Sequence, residues 1–199
     1  MENAANNPKV KWKIVYVHHP FFSSPNGCSS SSCKGSKPFT QTYQPLFDQN
    51  KVDIALFGHI HNYQRTFPLK FNSADPLNPT KTSTAKCDYT NPAGTIYATV
   101  GTGGVNFHSL KSKASFVSVQ QANRYGQLDL TFSSDLTKLT GKFYSNEVGT
   151  LSGCQSSPNI LDAFTITKSF GTTGISTEDA GVLGENGDRS SISLEDPFA

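Results

Sequence analysis

The tetrad Gly58-His59-Ile60-His61 closes the apolar run Val52-Asp53-Ile54-Ala55-Leu56-Phe57, and it constrains this chain more than any other feature. Histidine occurs five times and glycine sixteen times in 199 residues, so composition alone produces a G-H-x-H string with a probability of about 0.01. His18 and His19 end a second apolar run, Ile14-Val15-Tyr16-Val17. Four of the five histidines therefore stand where a buried strand hands over to a loop. In open α/β sheets that edge is where ligands bind, and neutral imidazole suits zinc and its neighbouring transition metals. Ordinary surface histidines are the plainer alternative, and they account less well for the tetrad than for His18.

Both runs, residues 13–17 and 52–57, are nearly continuous in apolar side chains, the pattern of parallel strands covered on both faces. Residues 40–50 read as a short helix with Tyr43, Leu46 and Phe47 at i, i+3 and i+4. Pro45 suits that helix only if it starts nearby. Residues 21–38 and 71–92 read as loops. A third strand over 94–100 runs into the turn Gly101-Thr102-Gly103-Gly104. From there the period changes to two: Leu128, Leu130 and Phe132 alternate with polar residues, and Leu139, Gly141 and Phe143 follow after Ser133-Ser134-Asp135. That pattern predicts an antiparallel hairpin with one wet face, to which 163–167 can add a strand. No Lys-Ser/Thr follows the glycine turn and no helical pattern begins there, so it reads as a structural turn rather than a phosphate cradle.

Hydrophobic content of 35% with abundant Gly, Pro and Ser favours short strands and turns over long helices. Residues 1–11 form a polar lead. Up to Lys168 there are 16 Lys and Arg against 9 Asp and Glu, whereas residues 169–199 carry six acids and Arg189 alone. That acidic tail lacks apolar periodicity and is expected to be disordered. The basic surplus favours anionic phosphate esters, but it forms no stripe interleaved with aromatics, so a nucleic-acid partner is set aside. The first eleven residues contain no apolar signal-peptide core, and no apolar run has the length of a membrane span. Cys28 and Cys33 bracket four serines, a spacing suited to a short disulfide, and Cys87 and Cys154 lie in polar loops where they can pair. Disulfides are favoured over free thiols and over a four-cysteine zinc site, whose spacing would be poor. They imply a secreted or extracellular parent.

Val15-Tyr16-Val17-His18 followed by Pro20, and Gly58-His59-Ile60-His61-Asn62-Tyr63-Gln64-Arg65, resemble the last two metal motifs of calcineurin-like metallophosphoesterases. Among these the purple acid phosphatases are most similar, with motifs V-x-x-H and G-H-x-H-x-Y-x-R. Gly94-Thr95-Ile96-Tyr97, Val100-Gly101-Thr102-Gly103-Gly104 and Tyr125-Gly126 are similar to that family's C-terminal segment. The resemblance covers residues 13–145 and implies an α/β fold, half of a four-layer αββα sandwich with a mixed sheet and a C-terminal antiparallel hairpin. The metallophosphoesterase portion would be residues 12–168, with 94–168 as its C-terminal segment.

The resemblance also implies a chemistry: a dinuclear centre, iron with zinc, manganese or a second iron, activates a water that attacks a phosphomonoester. By the family pattern His18 and His59 match ligands of the divalent metal and His61 a ligand of the iron. His19 would face substrate, support the ligands, or be a simple surface residue. Gly58, Gly101, Gly103 and Gly104 would form turns near the site. Gln64 stands where the family has Glu, and His108 matches no motif. The family's earlier motifs, D-x-G, G-D-x-x-Y and G-N-H, do not precede His18. Asp179-Ala180-Gly181 spells the first of them, but in a polar tail with no strand before it. The chain thus reads as the C-terminal half of an acid phosphatase-like enzyme, inactive alone and partnered by an N-terminal half that supplies the remaining ligands. The alternative is a stand-alone, non-catalytic metal-binding or interaction domain. A single ion on His18, His59 and His61 would require the last two rings to converge, as i and i+2 do in a straight strand.

Overall fold

A computed structural model describes residues 7–27, 35–149, 154 and 157–170. Cys28, Cys33, the Asp179-Ala180-Gly181 string and the acidic tail beyond residue 170 lie outside the described residues. The elements are β1 (Ile14–Val17), α1 (Lys37–Gln49), β2 (Ile54–Phe57), β3 (Tyr63–Thr66), β4 (Leu69–Lys70), β5 (Thr80–Lys81), β6 (Asp88–Thr90), β7 (Ile96–Val100), β8 (Val117–Gln121), β9 (Gly126–Phe132), β10 (Lys138–Ser145) and β11 (Ile160–Thr167). The fold is mixed α/β, as expected. A five-stranded sheet runs in the order β1-β2-β7-β3-β8, and a four-stranded sheet in the order β6-β11-β10-β9. β1, β2 and β7 are parallel, while β3 is antiparallel to β7 and β8.

The side-chain alternation of β2 shows how the layers are held. Ala55 and Phe57 face a cluster with Phe21, Phe22, Phe47 and Tyr97, beneath α1. Ile54 and Leu56 face the opposite way and, with their sheet neighbour Ile96 of β7, pack onto Leu139, Phe164 and Ile166 of the second sheet. Burying a large apolar side chain of this kind stabilises by about 1.5–3 kcal/mol. The expected hairpin forms as β9–β10, with Leu128 opposite Phe143, Leu130 opposite Gly141 and Phe132 opposite Leu139. Gly141 is required there, because a Cβ would overlap the Phe164 ring. Cys87 and Cys154 form a disulfide with Cα atoms 5.4 Å apart. It lies beside the parallel β6–β11 pairing, where the Cys87 carbonyl accepts from Thr165 and the Cys154 carbonyl from Ala163. Closing a loop of that length stabilises by about 4 kcal/mol in the chain-entropy account.

Three local expectations are corrected. First, α1 begins at Lys37, capped by Ser36, and carries Pro45 inside. The carbonyl that Pro45 leaves without a helix donor belongs to exposed Gln41, so water can satisfy it. The buried face is Thr40, Gln44 and Phe47, while Tyr43 and Leu46 stay exposed. The Thr40 hydroxyl bonds the carbonyls of Ser36 and Phe21, which turns this face inward. Second, β1 is not covered on both faces. It is the edge strand, with Tyr16 82% exposed. Third, the expected loop 71–92 contains β5 and β6, the latter recruited as a parallel neighbour of β11.

Candidate metal centre

Parallel pairing of β1 with β2 in register Val17 to Phe57 brings both strand ends, and the histidines that follow them, to one sheet edge. The Gly58 amide donates to the His18 carbonyl at 3.1 Å, locking the two ends together. His18 Nε2 lies 3.2 Å from His59 Nδ1. The His19 ring lies 4.3 Å from that of His59 and 4.9 Å from that of His18, centroid to centroid. One nitrogen from each of His18, His19 and His59 falls within 4.8 Å of the others. Among the described residues this is the one group of three or more His, Cys, Asp or Glu side chains close enough to share an ion, and it contains no carboxylate.

His61 takes a different direction. His59 has φ +62°, a left-handed conformation uncommon for a residue with a Cβ, so residues 59 and 61 do not continue a straight strand. The His61 Nδ1 lies 2.7 Å from the Asn106 carbonyl, and its backbone amide donates to His108 Nδ1 at 3.1 Å. The two imidazoles stack with centroids 4.2 Å apart and planes 7° from parallel. A proton on Nδ1 of His61, given to that carbonyl, leaves Nε2 as the lone-pair nitrogen, the tautomer used by ligating histidines. Nothing in the sequence announced His108 or Asn106, since contacts across 45 to 47 residues leave no periodic trace. His19 carried one signal, its place beside His18.

The glycine turn supports the histidines through backbone proximity. The Gly101 amide donates to the Asn62 carbonyl at 3.1 Å, and a Cβ on Gly101 would overlap the Ile60 carbonyl. Gly58 has ordinary room beside His18, Gly103 faces open space and Gly104 adopts φ +130°. The turn borders an open hollow of about 480 Å³ whose lining includes Thr102, Tyr125 and Tyr144. Burial, then the imidazoles of His19 and His18, hold His59 below the usual histidine pKa. Burial and His61 do the same for His108.

The remainder of the motif turns inward. The Tyr63 hydroxyl donates to Asp162 at 2.6 Å, and Arg65 grips the same carboxylate through Nε and Nη2 at 2.6 and 2.9 Å. Arg65 also donates to the Tyr89 hydroxyl and the Lys86 carbonyl. Gln64, where the family pattern has Glu, accepts from the Ser24 amide and donates to Asn62.

Acid phosphatase A of Cryphonectria parasitica is 29% identical over 160 residues, 79% of this chain and 27% of that protein. The Arabidopsis thaliana protein named "Probable inactive purple acid phosphatase 1" is 27% identical over 169 residues, 84% of this chain and 25% of its own length. The solved structure of purple acid phosphatase PPD1 from yellow lupin seeds superposes with a TM-score of 0.64 at 25% identity, covering 85% of this chain and 27% of that one. The chain is purple acid phosphatase-like. No protein-family model matches it. This purple acid phosphatase-like chain spans about a quarter of the length of the relatives it matches, and these include proteins named as phosphatases and two named as probably inactive.

Proposed function

We propose that this chain forms the histidine-bearing part of a metal-dependent phosphomonoesterase of the acid phosphatase kind. The observation that carries the reading is the meeting of His18 and His59 at the ends of two parallel strands, with a nitrogen-to-nitrogen distance of 3.2 Å. Two zinc-bound nitrogens in a tetrahedral site are about 3.3 Å apart for Zn–N of about 2.0–2.1 Å. The donors therefore fit one divalent ion. A second ion of the family's pair would find His61 here, but its carboxylate and phenolate donors are not among the described residues grouped at this edge. A metal pair supplies an activated water and neutralises charge on the phosphoryl group. In this reading His18 and His59 hold the divalent ion and His61 presents Nε2 to the iron, with Asn106 fixing its tautomer. The glycine turn keeps the histidine loop in place, and a lysine- and arginine-rich surface favours the anionic ester.

The remaining donors would come from a companion half of the fold beside β1, where Tyr16 and Val17 are exposed at the sheet edge. An exposed edge strand presents unpaired backbone groups on which a further strand can pair, and the faces of parallel strands are ordinarily covered. Phosphate esters and that half are thus the proposed partners. Among the described residues no helix is long and apolar enough to cross a membrane, and the Cys87–Cys154 disulfide is consistent with a secreted parent. The second reading, a non-catalytic metal-binding module, is favoured by the relatives named as probably inactive.

Hydrolysis of p-nitrophenyl phosphate by the purified chain, with iron and zinc added, tests the first reading. The expected result is a chelator-sensitive rate far below the roughly 1–1,000 per second of ordinary enzymes, abolished in His59→Ala. A rate within that ordinary range would contradict the reading of this chain as an incomplete site, whereas metal binding without any chelator-sensitive hydrolysis fits both a half that is inactive alone and the non-catalytic module. Upstream coding sequence that supplies an in-frame G-D-x-x-Y and G-N-H would return the balance to the enzyme.

A further inference from the structure

We infer that a divalent ion on this chain is held by three imidazoles, those of His18, His19 and His59, with His19 rather than His61 as the third donor. The inference rests on the reading of this edge as a metal centre, though not on phosphate hydrolysis. The family resemblance gives position 19 no ligand role, so the assignment comes from geometry. His18 Nε2 and His59 Nδ1 are already 3.2 Å apart, the edge of a tetrahedral zinc site. The His19 nitrogen stands within 4.8 Å of both, and a swing of its ring by about 1.5 Å closes the triangle to the 3.3 Å edge. Adjacent residues in a strand point to opposite faces, but His18 and His19 follow the end of β1 at Val17, and their rings meet edge to face at 4.9 Å.

Two further observations exclude His61 from this group. The left-handed backbone at His59 turns that side chain back toward the end of β1. Such a conformation costs about 1–3 kcal/mol and is kept where the surroundings enforce it, commonly at ligand-binding positions. His61 is committed elsewhere, to Asn106 through Nδ1 and to His108 through its amide and its ring face. Moving it to the triad would break all three contacts. The ligand class follows from the donors: three neutral nitrogens, with no oxygen or thiolate, suit zinc or cobalt(II) and not magnesium or calcium. Three histidines leave the fourth position open to water or to a phosphate oxygen. His18 is exposed and the other two are half-buried, so an ion can enter without unfolding the loop.

Calorimetric titration with zinc tests the assignment in the full chain, its His19→Ala, His59→Ala and His61→Ala variants, and wild type with magnesium. One zinc equivalent is expected in wild type, with affinity reduced at least tenfold in His19→Ala and His59→Ala and within about twofold of wild type in His61→Ala. Loss in His61→Ala, whether or not His19→Ala also loses, would overturn the inference while sparing the metal centre. No zinc binding to wild type, or binding unchanged in all variants, would overturn both. Because His61→Ala removes contacts that hold its loop, diethyl pyrocarbonate labelling of wild type read by mass spectrometry gives a second measure. Zinc is expected to protect His18, His19 and His59 and to leave His61 and His108 reactive, and protection of His61 in place of His19 would contradict the assignment.

Discussion

Within residues 58–65 the chain passes from a solvent-facing turn to a fully buried, charge-paired polar group. At the turn, His59 is surrounded by imidazoles, and its pKa is lowered by burial and by four other histidines. The backbone there is left-handed, and the charged forms of these side chains disfavour one another. Four to six residues later, Tyr63 and Arg65 are fully buried against Asp162, and Phe164 stacks under the guanidinium at 4.5 Å. Burial opposes the Arg65 charge, yet the carboxylate and the phenolic oxygens hold its pKa above the ordinary arginine value. In the first region imidazole nitrogens are gathered within reach of one another, and in their neutral form their lone pairs can be shared by a metal ion. In the second each donor has an acceptor, so the group joins the two sheets and has nothing left for a ligand. On the proposed reading one motif divides into a half for binding and a half for stability, and its spelling hides that division.

The comparison breaks most visibly at Asp162. Asp162→Ala leaves the Arg65 charge buried and unpaired and is expected to cost about 3–5 kcal/mol in urea denaturation, with zinc affinity of the remaining folded protein unchanged. A cost below about 1 kcal/mol would mean that the buried group is not the fastener described. Gly101→Ala sharpens the comparison because it touches both regions: its Cβ must displace the Ile60 carbonyl. A cost of about 1–3 kcal/mol together with weaker zinc binding is expected, and wild-type values in both would show that the turn does not position the histidines. His59→Gly moves the two properties in opposite directions. It relieves a left-handed residue at some cost in unfolded-state entropy, so a gain of about 0.5 kcal/mol is expected alongside loss of zinc binding. A loss of stability would mean that the ring's contacts outweigh the strain.

The smallest expected effect is pH dependence of the metal-free chain. His59 and His108 have lowered pKa values in the fold, so the unfolded chain binds more protons as pH falls through the ordinary histidine value. Their contribution is present above about pH 6.5 and declines below it. Melting temperatures of wild type and of a His59→Gly, His108→Gln variant across pH 5–8 read this directly. An identical decline in both would place the acid sensitivity elsewhere.

Much of this architecture was legible in advance because it rests on apolar patterning. The runs before His18 and His59 became β1 and β2, and the alternation of Leu128 to Phe143 became the antiparallel hairpin β9–β10. β3 was invisible because Tyr63, Gln64, Arg65 and Thr66 are polar and nevertheless all buried. Their partners, Asp162 above all, lie nearly a hundred residues away, and no local period encodes that pairing. The helix was misjudged at its buried face for a similar reason, since hydroxyl and amide side chains, Thr40 and Gln44, occupy it. At the site, the four clustered histidines were legible as a group, but their division was not. A single positive φ at His59 and a stack on His108 decide which rings meet, and neither has a signature in composition or spacing.

Anomalous diffraction at the zinc edge from crystals of the zinc-loaded chain tests most directly whether the histidine edge is a metal centre. A single peak about 2.0–2.1 Å from nitrogens of His18 and His59, with Arg65 and Asp162 still paired beneath it, is the predicted result. A crystal with no peak at this edge, or with its zinc on other side chains while the histidines keep their present contacts, would contradict it.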